Sequence, residues 1–191
     1  MLMSGQAYVN SVEFFRMGQA GQIGRYPIHW HRLGDEARGQ YIRNSSIHDG
    51  FNRCVTIHAS NGVKVQNNVA FNAPGHCVFL EDGAELDNII ENNLVLSVLT
   101  PEEGKAILPT DIDFPGPSAY WITHPQNVVR NNVAGGSSGS GFWYAFPVQP
   151  AGLSSGQQLW NRLSPMAEFS GNVAHSNSGE GLHVDNGPLT N

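Results

Sequence analysis

The sequence has 191 residues, 16 acidic against 10 basic side chains, a net charge of −6 and 22 glycines. That length supports one domain with a sizeable core. The chain has no Lys/Arg cluster and no apolar run near the span of a transmembrane helix, which argues against a nucleic-acid partner and against a helical membrane segment.

The first residues, Met1-Leu2-Met3-Ser4-Gly5, lack the charged and then apolar pattern of a secretion signal. Strand signals begin at once, with Ala7-Tyr8-Val9. Internal similarity then appears. Ile42-Arg43-Asn44-Ser45-Ser46-Ile47, Val65-Gln66-Asn67-Asn68-Val69 and Ile90-Glu91-Asn92-Asn93-Leu94 look alike, as do Val129-Arg130-Asn131-Asn132-Val133 and Phe169-Ser170-Gly171-Asn172-Val173. Asn44, Asn67, Asn92 and Asn131 are separated by 23, 25 and 39 residues, and Asn172 follows Asn132 by 40. A minimum of 23–25 residues with irregular excess predicts an all-β parallel solenoid. Each coil buries its face only against its neighbours, and insertions leave at the corners. Asn at a fixed coil position predicts a stacked ladder at a turn, since Asn tolerates the left-handed backbone such corners need.

A second strand is predicted after the first in each coil. His58 follows Asn44 by 14 residues, and Glu81 follows Asn67 by 14. Apolar parity points Ile28/Trp30, Val55/Ile57, Val78/Leu80 and Leu182/Val184 inward. Two outward rows result. One runs His31, His58, Glu81, His124, Ala145, Asp185; the other runs His29, Thr56, Phe79, Ile122, Trp143, His183. Insertions near 16–26 and 97–118 enter this second strand, and insertions near 33–40 and 146–166 leave it. A strand floor with loop walls is how a solenoid builds a groove. Neither end carries the polar cap that a solenoid needs, so the chain reads as part of a longer protein with further domains, or as one that stacks on something else.

Pro27-Ile28-His29-Trp30-His31 holds a His-x-His on one strand face, with His58 expected one coil away. Three imidazoles from adjacent rungs suit a divalent ion (Zn, Mn or Ca), with Glu81 one rung further; a hydrogen-bonded ladder of histidines is the plainer alternative. Cys54 and Cys77 lie one coil apart, at a spacing open to a disulfide or to two stacked thiols.

Gly24-Arg25-Tyr26-Pro27-Ile28-His29-Trp30-His31 resembles the "RYPIHFH" stretch of the cell migration-inducing hyaluronidase family, with Trp30 where that family more often has Phe. Arg53-Cys54-Val55-Thr56-Ile57-His58, Gly75-His76-Cys77-Val78-Phe79-Leu80-Glu81-Asp82-Gly83, Leu108-Pro109-Thr110-Asp111, Trp121-Ile122-Thr123-His124-Pro125 and Gly141-Phe142-Trp143-Tyr144 continue the resemblance in order. Fibrocystin-like proteins are wider kin. The small all-β module that precedes the helix in that family is absent. The resemblance implies a right-handed parallel β-helix, an extracellular or cell-surface setting, and binding or depolymerisation of hyaluronan. A uronate-containing polysaccharide is therefore the expected partner. Glu81, His58 and Asp82 are the acid/base candidates. Arg25, Arg53, His76, His124, Trp143 and Asp111 are the substrate-binding candidates: arginines for carboxylates, Trp143 for sugar faces. Each has a structural alternative. Asp82-Gly83 reads equally well as a turn, the arginines as internal ion pairs, and one of each adjacent aromatic pair must face the core. A glycan- or protein-binding solenoid without turnover is the competing function.

Overall fold

The structure is a computed structural model that describes residues 1–185. Its strands form three parallel sheets of six, and each sheet takes one strand from every coil. This is a right-handed parallel β-helix, the architecture that the repeat and the ordered motifs imply. Each coil holds three strands, not two. The Asn-centred segment is itself a pair, such as Tyr41–Arg43 and Ser46–His48, bent at Asn44-Ser45. The longer strand then follows, as in Val55–Ser60. Residues of one segment were read as a single strand because a two-residue bend leaves the apolar pattern almost unbroken.

The Asn-Asn pair divides two tasks. Asn44, Asn67, Asn92 and Asn131 take positive φ of 51–56°. The next residue points inward: the amides of Asn68, Asn93, Asn132 and Asn172 stack at 3.0–3.1 Å, each satisfying a backbone N–H one coil away. A shorter ladder joins Asn88 to Asn127. Buried backbone groups at these corners therefore find partners without water.

Inside, Ile42, Val65, Ile90 and Val129 stack along the first sheet. The second sheet offers Ile47, Ala70, Val95 and Ala134; its small residues face the bulk of Trp30, Tyr120 and Tyr144 from the third. Each buried Ile or Leu contributes roughly 1.5–3 kcal/mol. Trp30 is buried with its indole N–H donated to Gln40 Oε1 at 2.9 Å. Cys54 and Cys77 form a disulfide between adjacent rungs, with Cα atoms 4.6 Å apart. No helix of the described residues is long and apolar enough to cross a membrane.

The insertions all leave at the two corners that flank the third sheet, as the spacing predicts. Two of them do more than wall a groove: they fold over the sheet. The loop 97–118 packs Leu108 on Phe79, Trp121 and Trp143. The loop 146–166 hydrogen-bonds to Asp82, Gly83 and Thr123.

Candidate active site

The third sheet sets the geometry. His31 pairs with His58 and His29 with Thr56, so the strand Ile28–Gly34 places two imidazoles over the third. The ligating nitrogens of His29, His31 and His58 all lie within 4.8 Å of one another. The rings of His29 and His31 meet edge to face at 5.1 Å, and those of His31 and His58 at 4.9 Å. Glu81, one rung on, brings Oε2 to 3.4 Å from His58 Nδ1 and 3.9 Å from His29 Nε2. The predicted convergence of three histidines and Glu81 is thus present in the fold.

Hydrogen bonds fix which atoms are free. His29 Nδ1 donates to the Gly24 carbonyl at 3.2 Å, which leaves Nε2 with a lone pair, buried and without a partner. Glu81 Oε2 is likewise buried and unpartnered. His58 Nε2 is held by Asp82 Oδ2 at 2.8 Å, so its Nδ1 faces the centre. Burial pushes His29 down to about 3, against the pull of the Gly24 bond. His31 is also lowered, by burial and then by His58. At His58 burial acts downward, but the Asp82 bond and the Glu81 charge outweigh it, and its pKa rises. Burial raises Glu81. Three imidazole nitrogens, two of them on buried rings, form a donor set suited to a divalent cation, and the unpaired Glu81 oxygen stands beside it.

Asp82 was expected beside Glu81 as half of a catalytic carboxylate pair. It instead stands behind His58, where it accepts the imidazole N–H and the backbone N–H of Ser154 at 3.2 Å. From there it fixes the orientation of the His58 ring. The turn after it admits no side chain at Gly83: φ is 93°, and a Cβ would sit 2.6 Å from Asn161 Nδ2.

Four substrate-binding candidates lie together elsewhere, in a closed cluster at the start of the same strands. Arg53, His76 and Asp111 are fully buried. Asp111 accepts both Arg53 Nη atoms, the His76 N–H, and the backbone N–H groups of Ile107 and Leu108. His76 accepts the Ser118 N–H at Nδ1 and pairs Nε2 with Thr110 Oγ1; burial holds its pKa well below the ordinary value. Trp143 does point outward as predicted, but Trp121 and His183 contact its ring and only 2% of it is exposed. None of these four exposes a polar atom or ring face to a polymer, because the 97–118 loop packs over them.

His124 needs a correction of register. Tyr120 pairs with Val78 and Trp121 with Phe79, so Trp121 holds the row position predicted for Ile122, and Thr123 holds the one beside Glu81 predicted for His124. His124 is buried off the row, lowered to about 4 by burial, with its Nδ1 accepting the Gln126 N–H. Arg25 stays exposed at the rim.

Two residues at the site were not foreseen. Tyr26 packs its ring 4.9 Å from His29, and its hydroxyl is buried without a partner; its pKa is raised by burial and then by Glu81. Its place inside the Arg25–His31 motif was the available signal. Glu85 is fully buried and accepts the N–H groups of Ala59, Asp82 and Gly83. An acid three residues past Asp82 in a Gly-containing turn was its only trace in the sequence.

The CEMIP beta-helix family model matches residues 1–182. The chain is 38% identical to cell surface hyaluronidase CEMIP2 of Homo sapiens, over 96% of this chain and 15% of that protein. It is 36% identical to the cell migration-inducing and hyaluronan-binding protein of Homo sapiens, with the same coverage of 96% and 15%. Fibrocystin-L of Homo sapiens is 37% identical over 92% of this chain and 4% of its own length. The chain therefore spans a small fraction, 4–15%, of the length of these three relatives.

Proposed function

The chain belongs to the CEMIP β-helix family, and from that premise we propose that it binds and depolymerises an acidic, uronate-containing polysaccharide of the hyaluronan type. The groove is the outer face of the third sheet, at the open end of the strands. The observation that carries this reading is the meeting of His29, His31 and His58 beside two buried, unpaired acceptor atoms, His29 Nε2 and Glu81 Oε2.

In this proposal the three histidines hold a divalent cation. Nitrogen donors favour zinc over manganese and most of all over calcium, which prefers an all-oxygen shell. When bound, the cation would supply positive charge opposite a uronate carboxylate. Glu81, its pKa raised by burial, moves the proton: to the leaving oxygen in hydrolysis, or from the sugar carbon beside the carboxylate in elimination. Asp82 keeps the His58 ring turned so that Nδ1 faces the centre. The unpaired Tyr26 hydroxyl is a second proton-bearing group on the same floor. Arg25 lies at the rim, where a substrate carboxylate would pass. An extracellular or cell-surface setting agrees with the names of the hyaluronidase relatives and with the Cys54–Cys77 bridge.

The test is metal analysis of the purified protein together with hyaluronan chain-length analysis, for wild type, His31→Ala and Glu81→Gln. The proposal expects bound metal in wild type, loss of it in His31→Ala, and loss of chain shortening with metal retained in Glu81→Gln. Ultraviolet absorbance of an unsaturated uronate at the new chain end separates elimination from hydrolysis. Metal-free wild type whose chain shortening is equal in all three proteins would overturn the site. The second reading is glycan or protein binding without turnover. It is favoured by the equal similarity to fibrocystin-L, whose name states no hydrolytic activity. Saturable hyaluronan binding with no shortening would select it.

A further inference from the structure

A cleft of about 480 Å³ opens at the corner where chains leave the second sheet for the third. It does not include the three histidines. Two insertions build it. Asn52 anchors the 16–26 loop by donating to the Gln19 and Gln22 carbonyls. Asp111 anchors the 97–118 loop to Arg53. The loops touch where the Lys105 stem crosses Gly21. A Cβ at Gly21 would sit 3.1 Å from Lys105 Cδ, and its φ of 68° favours glycine.

The lining has a definite chemistry. Phe51 contributes a ring with the Arg16 guanidinium 5.2 Å from its centroid. Lys105 lies across the opening, and Asn52, Asn72 and Thr100 add hydrogen-bonding groups. Among the described residues neither Arg16 nor Lys105 has a carboxylate within ion-pair distance, whereas the cleft's Asp49 is engaged by His48 and Asn72 and its Asp111 by Arg53. Arg53 forms a fully buried wall, and its Nε–H has no acceptor. Glu102 also lines the cleft, exposed and outside any ion pair, so Arg16 and Lys105 set two unpaired cations against one unpaired carboxylate beside an aromatic face, in a volume typical of a small-ligand site.

We infer that this cleft is a second sugar subsite, which holds a uronate-bearing unit of the polymer with its carboxylate on Arg16 and Lys105 and a ring face on Phe51. The inference rests on the polysaccharide reading and adds a place for a remote part of the chain. Arg53 precedes His58 by five residues, two before the strand Val55–Ser60 begins, so the cleft lies on the order of 16 Å from the imidazoles. That distance suits an oligosaccharide bridging both places. Remote binding of this kind holds a polymer in register over a reaction centre.

The experiment is calorimetric titration of a defined hyaluronan oligosaccharide into wild type, the double variant Arg16→Ala/Lys105→Ala, and Phe51→Ala. An uncharged N-acetylglucosamine oligomer of equal length is the control ligand. Thermal melts verify that each variant is folded; Arg16 and Lys105 are surface positions, where truncation has little effect on stability. The expected result is at least tenfold weaker hyaluronan binding in the double variant, a shallower salt dependence, a smaller loss in Phe51→Ala, and no change for the uncharged oligomer. Wild-type affinity in the double variant would overturn the subsite alone. No hyaluronan binding by wild type would overturn the polysaccharide reading and the subsite with it.

Discussion

Two ends of the same strands carry the same kinds of side chain and reach opposite outcomes. At the strand starts, Arg53, His76 and Asp111 are closed under the 97–118 loop, and Asp111 takes five donors. Toward the strand ends, His29 Nε2, Glu81 Oε2 and Asp82 Oδ1 are acceptor atoms that nothing in the protein fills. Residue type alone does not separate a structural ion-pair cluster from a reactive centre. What separates them is bonding capacity left over after folding. An unpaired polar atom in a buried place costs free energy, and it persists where a ligand can complete it.

The comparison can be tested from its closed side first. Asp111→Ala removes the sole partner of a buried guanidinium and should cost about 3–5 kcal/mol in denaturant unfolding. A loss below 1 kcal/mol would mean that the cluster is solvated. The bridge beside it is the next largest effect. Replacing Cys54 and Cys77 together with Ser should cost about 3 kcal/mol, the loop-closure value for a separation of 23 residues, and the melting midpoint of the variant reads it directly.

Glu85 belongs to the open end, where it braces the turn that presents Asp82. Burial raises its pKa to about 8, with the Asp82 charge adding to the effect. Thr123 Oγ1 lies 3.1 Å from both the Leu80 carbonyl and Glu85 Oε2. One hydroxyl proton cannot serve two acceptors, so a protonated Glu85 that donates to Thr123 satisfies the chain of bonds. A folded-state pKa above the unfolded one gives stability that is complete below the usual carboxylate range and is lost as pH rises through about 8. Between pH 5 and pH 8.5 Glu85 alone lowers stability by a few kcal/mol, against the opposite slope of the buried neutral histidines His29, His76 and His124, so its contribution is read as the difference between wild type and Glu85→Gln. Glu85→Gln should remove that loss. An unchanged slope would assign the pH dependence to another group.

The smallest effect falls on the open side. Asp82→Asn keeps the shape beside His58 but weakens its hold on the imidazole, and it should reduce affinity for added zinc or manganese by 10–100-fold. His31→Ala, at a half-exposed position, should leave stability within about 0.5 kcal/mol of wild type. If both variants bind metal as wild type does, the open end is a packing ladder like the closed one.

The sequence carried the scaffold well because its corners count residues. The 14-residue spacings from Asn44 to His58 and from Asn67 to Glu81 hold in the fold, since no insertion intervenes between those asparagines and their third-sheet strands. Counting failed at Trp121. There the 97–118 loop interrupts the count, and Tyr120, Trp121 and Ile122 are all apolar, so parity carries no signal about which one faces the core. Nor could sequence pair Arg53 with Asp111. They are 58 residues apart, and only the path of a loop brings them together. The roles of Asp82 and Glu81 look alike in sequence for a related reason: adjacent carboxylates differ only in the direction the turn gives them.

The two-residue corner at the Asn pair never lengthens, while the other two corners of the coil accept anything from a tight turn to a loop of some twenty residues. This gives the molecule a keel and two open gunwales. Change is tolerated along the rims of one face, and the loops added there fold onto the same sheet. Lineages built on this frame can exchange their cargo of loops, and so their ligands, without retuning a single rung. For the protein engineer the same asymmetry is a map: grafts belong after Phe15, Gly34, Leu99 or Ala145, and none belongs beside Asn67 or Asn92.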